Sequence, residues 1–172
     1  MFFFLANAHF YKIGFKEVLL LPLFFALAFA IGSFLAGNKQ PFRRYYMLGL
    51  AAKLLGGFMF GMVYIYYYGG GDTTRYFTGA SNFFKVFTAS PAAGFHVLFN
   101  AEQYPEVYDT SPTVRTVQQI VSVIDLFSFN SFWICTLWFS VLSFAGIWKM
   151  FRAFTKVYPT LHRPACFFGR RG

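Results

Sequence analysis

Acidic residues are scarce in this chain: its 172 residues include 6 Asp and Glu against 15 Lys and Arg. Charged residues make up 12% of the sequence, about half the share that is typical of soluble domains. The chain has 2 cysteines, Cys135 in an apolar run and Cys166 in a basic segment, and this placement argues against a disulfide. The chain also lacks the patterns of a zinc site, a haem site, a catalytic triad and a nucleotide-binding loop, since no lysine follows Gly69-Gly70-Gly71.

Hydrophobic residues make up 57% of the chain and include 27 phenylalanines. They form three runs of about 20 residues, the length of a helix that crosses a bilayer, at 18–36, 47–68 and 126–148. Lys53 interrupts the second run, and we expect it near one end of that span with its ammonium group at the interface. Because backbone groups must pair internally in lipid, the sequence predicts an all-α integral membrane protein with a single membrane domain over 1–172.

The placement of lysine and arginine predicts how these spans are oriented. The connection 37–46 and the tail 149–172 contain basic residues and no acid, so both are predicted to be cytoplasmic. The N-terminus and the long connection 69–118 are predicted to face outward. This bias accounts for most of the net charge of +9, and we therefore do not expect nucleic-acid binding. The alternative for the first run is a cleaved signal peptide, because Ala28-Phe29-Ala30 has a small-x-small cleavage pattern.

Small residues recur at four-residue spacing in the first two runs. The first run carries Ala28, Gly32 and Ala36, and the second carries Gly49, Gly57 and Gly61. This spacing favours close contact between membrane helices. We expect the first two spans to pack on each other through these residues.

The connection 69–118 is too rich in aromatic residues for a disordered linker. An interfacial helix is predicted over 81–88, ending near Ser90-Pro91. Another helix is predicted over 113–127, leading directly into the third span. It places Asp125 at the membrane boundary, where an acid is a functional candidate because its burial is costly.

The segment that follows the second run carries the strongest functional clue. It reads Tyr68-Gly69-Gly70-Gly71-Asp72-Thr73-Thr74-Arg75-Tyr76-Phe77. Asp72 is predicted to act near the bilayer surface as a general base on an acceptor hydroxyl, or as a metal ligand. Arg75 lies one helical turn farther on and is predicted to bind a lipid phosphate, while Tyr76 stacks on a sugar or flanks a lipid chain. The structural alternatives are Asp72 as a turn residue or helix N-cap, and Arg75 as its ion-pair partner or a headgroup contact.

A second group of acids lies farther along the same connection, at Glu102, Glu106 and Asp109. Carboxylates spaced in this way suit magnesium or another divalent cation if the stretch is helical. Pro105 opposes a regular helix, so a solvated acidic loop is the alternative.

The segment 68–77 resembles bacterial multi-spanning glycosyltransferases and polysaccharide polymerases of the GT-C type. Many of these have a Gly-Asp-Thr-x-x-Tyr-like segment after an early membrane helix. The resemblance implies that Asp72 is the catalytic acid position in transfer of sugar from a polyprenyl-phosphate carrier, with Thr73 and Tyr76 as motif neighbours. It also implies an outward-facing site in a bacterial inner membrane. Such enzymes usually have eight or more spanning helices, so we expect this chain to be a fragment or a subunit.

The function expected from the sequence is therefore a part in cell-envelope polysaccharide synthesis from a polyprenyl-linked sugar. The expected partners are the lipid bilayer and other membrane subunits. The alternative function is that of a noncatalytic membrane scaffold, whose small-residue helix faces dock onto a larger partner.

Overall fold

The computed structural model describes residues 13–36 and 42–158, and within these ranges it is helical with no β-strand. The helices are α1 (Phe15–Ala36), α2 (Phe42–Met62, continued by a π-helix over Val63–Tyr67), α3 (Asp72–Ala89), α4 (Pro91–Phe99), α5 (Pro112–Leu126) and α6 (Phe132–Val157). By length and composition, α1, α2 with its π-helical end, and α6 are able to cross a membrane. The predictions of an all-α chain and of three candidate spans are confirmed. Lys39, Cys166 and the tail beyond residue 158 lie outside the described residues.

The second candidate span begins earlier than the sequence predicted. Helix α2 starts at Phe42 rather than Met47, and Arg43 donates a hydrogen bond of 2.8 Å from Nη2 to Ser33 Oγ of α1. Because this contact holds the basic first turn of α2 against α1, the helix includes residues that a count of apolar positions leaves out. Lys53 then lies 11 residues from the start of the 26-residue span and 14 from its end at Tyr67. Its expected place near one end of the membrane span stays a prediction, because Arg43 and Arg44 begin the helix before the apolar run starts at Met47.

The third span is separated from the helix before it. The sequence predicted a helix over 113–127 that leads directly into the span, whereas residues 127–131 form a non-helical break between α5 and α6. Phe129 and Asn130 adopt positive φ angles of 53° and 54°, which a continuous right-handed helix does not allow. The Lys16 ammonium of α1 donates hydrogen bonds to the carbonyl oxygens of both residues. This contact between distant parts of the chain supports the break, and α6 then continues past Trp148 to Val157.

The small residues bring the long helices together, but not entirely as expected. Gly32 of α1 lies against Leu50 of α2, so close contact at this glycine is confirmed. The glycines of α2 instead face α6. Gly49 meets Phe144, Gly57 meets Ser140 and Gly61 meets Trp133. The two stripes therefore do not pack on each other, because α2 uses its glycines to accommodate side chains of α6.

The connection between α2 and α6, residues 68–131, is called the loop segment below. It contains α3, α4 and α5 and has a small core of its own, formed by Phe83, Val97, Ala101, Val107 and Tyr108. The helix predicted over 81–88 is the C-terminal half of the longer α3, which starts at Asp72 and ends at Ala89. Ser90 caps α4 by accepting a hydrogen bond from the backbone of Ala93. The loop segment thus holds the candidate site on a folded helical unit.

Candidate functional site

The glycine turn fixes where α3 begins. Gly69 and Gly70 have φ angles of 68° and 113°, a region that residues with a Cβ rarely adopt. Gly71 is the N-cap, and Thr74 closes the first turn, since its hydroxyl donates to the Gly71 carbonyl at 2.7 Å and accepts from the Gly71 amide at 3.0 Å. The cap is therefore Gly71, and the alternative of Asp72 as N-cap is wrong.

Asp72 is the first residue of α3 and its side chain is exposed. A carboxylate in the first turn of a helix is favoured by the positive end of the helix dipole. Within the described ranges, Asp72 makes no side-chain hydrogen bond or ion pair. The acid is therefore available to solvent or to a substrate, one residue after the turn that leaves α2.

Arg75 pairs with Asp109 and not with Asp72. Its Nε and Nη2 donate to Asp109 Oδ2 at 2.9 and 2.6 Å, while Oδ1 accepts from the Ser111 amide at 3.0 Å. The Ser111 N–H and then Arg75 lower the pKa of Asp109 below its ordinary value. The Arg75 side chain is 54% exposed, and its Nη1 group takes no part in this ion pair. A phosphate that approached Arg75 would therefore meet a guanidinium that already holds one carboxylate.

Gln118 of α5 is the residue that sequence reasoning missed. It is buried, and its amide accepts from the Asp109 backbone N–H at 2.7 Å and donates to the Arg75 carbonyl at 3.0 Å. The side chain lies against Gly79, where a Cβ would approach Gln118 Cδ to 2.5 Å. Gln118 thus ties the first turns of α3 to the acidic stretch. A polar residue among the apolar positions of α5 is the only sequence signal for this role.

An apolar cavity of about 220 Å³ opens beside the first turn of α3. Thr73, Tyr76 and Phe77 of α3 form one wall of this cavity, and Thr73 directly follows Asp72 in the chain. The remaining lining comes from α5 and α6 and consists of Val117, Val121, Phe132, Cys135, Thr136 and Phe139. The structure therefore places Tyr76 on an apolar cavity that suits a hydrocarbon chain better than a polar group.

The three acids that were predicted as weak metal ligands take separate roles. Arg115 Nη2 binds Glu102 Oε1 at 2.6 Å, Asp109 binds Arg75, and Glu106 is exposed. Only a short 3₁₀ turn at Ala101–Gln103 forms before Pro105, in place of the helix that the ligand spacing required. Among the described residues, no three acids, histidines or cysteines gather into a group able to hold a metal ion.

Asp125 is the most deeply buried acid of the loop segment. It is 0% exposed, and neither carboxylate oxygen has a hydrogen-bond partner among the described residues. Burial raises the pKa of Asp125 to about 7, against the opposing effect of the Lys16 charge. The sequence placed this residue at a boundary, whereas the structure buries it next to the break that Lys16 of α1 contacts. Asp125 is thus a proton-binding group inside the fold rather than a surface acid.

Comparison of the chain with protein-family models, with curated proteins and with solved structures gives no match. The chemistry of the site therefore carries the functional argument.

Proposed function

We propose that the chain is an integral membrane component of a glycosyltransferase or polymerase that uses a polyprenyl-phosphate-linked sugar in cell-envelope polysaccharide synthesis. The observation that carries this proposal is the apolar cavity with Thr73 and Tyr76 on its wall, since Thr73 directly follows Asp72 in the chain. A lipid-linked sugar has an apolar chain and a polar reactive end. The cavity suits a short segment of that chain, while the exposed Asp72 carboxylate is one residue from Thr73 of its wall, at the start of α3.

In this proposal, Asp72 removes the proton from the acceptor hydroxyl as that oxygen attacks the anomeric carbon of the donor sugar. The bond from that carbon to the carrier phosphate breaks, and the phosphate leaves with the electron pair. Arg75 is the nearest guanidinium in the chain and stabilises the negative charge that develops on the phosphate. A divalent cation would serve the same purpose, with Asp72 as one ligand. The remaining spans and ligands would come from other membrane subunits in the bacterial inner membrane.

The decisive experiment compares Asp72→Asn with wild type in cells that depend on this protein for envelope polysaccharide. We expect loss of polysaccharide at unchanged protein level, because the amide cannot accept the proton. Glu106→Gln is the matched control, since Glu106 is also an exposed acid of the loop segment without a described partner. Unchanged polysaccharide in Asp72→Asn would overturn the catalytic role.

A noncatalytic membrane subunit is the second candidate function. It is favoured by a wide groove of about 570 Å³ between α2 and α6, which shares Thr73, Phe132, Thr136 and Phe139 with the smaller cavity. Normal polysaccharide in Asp72→Asn, together with its loss when this groove is filled, would support the subunit role.

A further inference from the structure

Lys53 occupies an unusual place for a lysine in an apolar helix. At a rise of 1.5 Å per residue it lies about 16 Å from the start of α2 and about 21 Å from Tyr67. If α2 crosses the membrane with Arg43 and Arg44 of its first turn at the interface, Lys53 is about 14 Å farther along the helix, within the hydrocarbon region, where a cation is costly unless it pairs with an opposite charge. Lys53 is half-buried, and it makes no hydrogen bond or ion pair within residues 13–36 and 42–158.

The lysine lines the groove of about 570 Å³ between α2 and α6. One wall is formed by small residues of α2, because Ala52, Gly56 and Gly57 contribute no side chain larger than a methyl group. Gly56 is exposed, and a Cβ built on it would have no neighbour within 4 Å. The facing wall on α6 carries the hydroxyl groups of Thr136, Ser140 and Ser143. The first two donate to carbonyl oxygens of their own helix and keep lone pairs as acceptors. Small residues and hydroxyls are the features that let a further membrane helix approach closely.

The chain has no acid that is able to meet Lys53 from inside the groove. Its six acids are Glu17, Asp72, Glu102, Glu106, Asp109 and Asp125. Glu17 lies in the first turn of α1, and the other five lie in the loop segment. A second copy of this chain has the same six acids, so it too lacks one near the middle of a span.

We propose that the groove between α2 and α6 docks a membrane helix of a different protein, and that this helix carries an Asp or Glu at the depth of Lys53. The two charges pair, while Gly56, which is exposed and has open space around it, allows the helices to approach closely. A lipid phosphate fits less well, because headgroups lie at the interface and Lys53 is about 14 Å along the helix from Arg44 of the basic first turn. This docking does not depend on whether Asp72 is catalytic.

The test uses the full chain in vesicles of zwitterionic lipid, with a donor fluorophore on the protein and an acceptor on a synthetic poly-leucine membrane helix. The probe helices carry Asp, Asn or Leu at their centre. We expect the Asp helix to bind about tenfold more tightly than the Leu helix, because only Asp gains a charge partner in the groove. Lys53→Met should abolish this difference, and Lys53→Asp should restore binding to a helix that carries a central Lys.

A steric pair of variants tests the groove itself. Gly56→Phe fills it and should prevent binding of the Asp helix. Gly146→Phe is the matched control, since Gly146 is another exposed helical glycine with open space around it, but lies outside the groove lining. Thermal unfolding in detergent shows whether each variant is folded, and the charge exchange at Lys53 gives a second test that does not enlarge any side chain.

Three results would overturn the proposal. They are equal binding of the Asp and Leu helices, retention of the difference in Lys53→Met, and equal effects of the two phenylalanine variants. Energy transfer between two labelled copies that is lost in Gly56→Phe would identify a second copy as the occupant instead. Quenching of a probe at Ala52→Cys by brominated anionic lipid, but not by brominated zwitterionic lipid, would identify a lipid.

Discussion

Two aspartates of the loop segment have carboxyl groups in opposite environments, and their pKa values shift in opposite directions. Asp109 accepts hydrogen bonds from Ser111 and Arg75, and these lower its pKa. Asp125 has no such partner among the described residues, and burial raises its pKa to about 7. The charged form is therefore stabilised at Asp109 and the neutral form at Asp125.

The pH dependence of stability should reveal Asp125. Its pKa rises from 3.8 to about 7 on folding, so between about pH 4 and pH 7 the folded protein keeps a proton that the unfolded chain has lost. The free energy of unfolding should fall across this window as the pH rises, and then level off. Asp125→Asn removes this ionisation. We expect the variant to be more stable than wild type at pH 8, by an amount on the order of a few kcal/mol, and close to wild type at pH 4.

Thermal unfolding in detergent at the two pH values measures this difference. Glu106→Gln is the control, because replacing an exposed acid should change the stability only slightly, and by the same amount, at pH 4 and at pH 8. An identical shift in Tm for Asp125→Asn at pH 4 and pH 8 would show that folding does not shift the pKa of Asp125.

At the scale of elements, the packing of α3 on α5 depends on one glycine. A Cβ at Gly79 would lie 2.5 Å from Gln118 Cδ and 2.9 Å from Gln118 Cγ. Gln118 has little freedom to move, because its amide joins Asp109 to Arg75. The contact therefore couples the spacing of the two helices to the hydrogen bonds beside the candidate site.

Gly79→Ala should destabilise the protein by roughly 1 to 3 kcal/mol, through overpacking and the loss of Gln118 hydrogen bonds. Gly146→Ala is the control, since its Cβ would meet nothing within 4 Å and alanine is the better helix former by about 1 kcal/mol. Denaturation in detergent compares the two variants. A Gly79→Ala variant as stable as Gly146→Ala would mean that α3 and α5 can separate freely.

The break between α5 and α6 is also a property of packed elements. Lys16 of α1 contacts the carbonyl oxygens of Phe129 and Asn130, and Ser131 Oγ donates to Glu17 Oε1 at 3.4 Å. The first turn of α1 therefore supports a connection more than 100 residues away in sequence. The Ser-Phe-Asn-Ser stretch at 128–131 indicates a possible turn, but apolar neighbours on both sides hide it.

For the whole molecule, the charge pattern predicts opposite sides for the loop segment and the C-terminal tail. In intact cells, a membrane-impermeant maleimide should label Glu106→Cys, whereas Lys156→Cys, in the last turn of α6, should react only after permeabilisation. Both variants are made with Cys166→Ser, while the native Cys135 is buried and serves as the unlabelled background. Labelling of both positions from the same side would contradict the three-span arrangement.

The sequence by itself determined the helical class, the three candidate spans and the position of Asp72 after the second of them. These features depend on the lengths of apolar runs and on the nearby glycines, which are properties of adjacent residues. Only the tertiary structure decided that Arg75 pairs with Asp109, that Gln118 joins them and that Asp125 is buried. These outcomes arise from contacts between residues that lie far apart in the chain, such as the 43-residue separation of Gln118 from Arg75. Local patterns carry no information about which distant side chains meet, because helix packing brings those partners together.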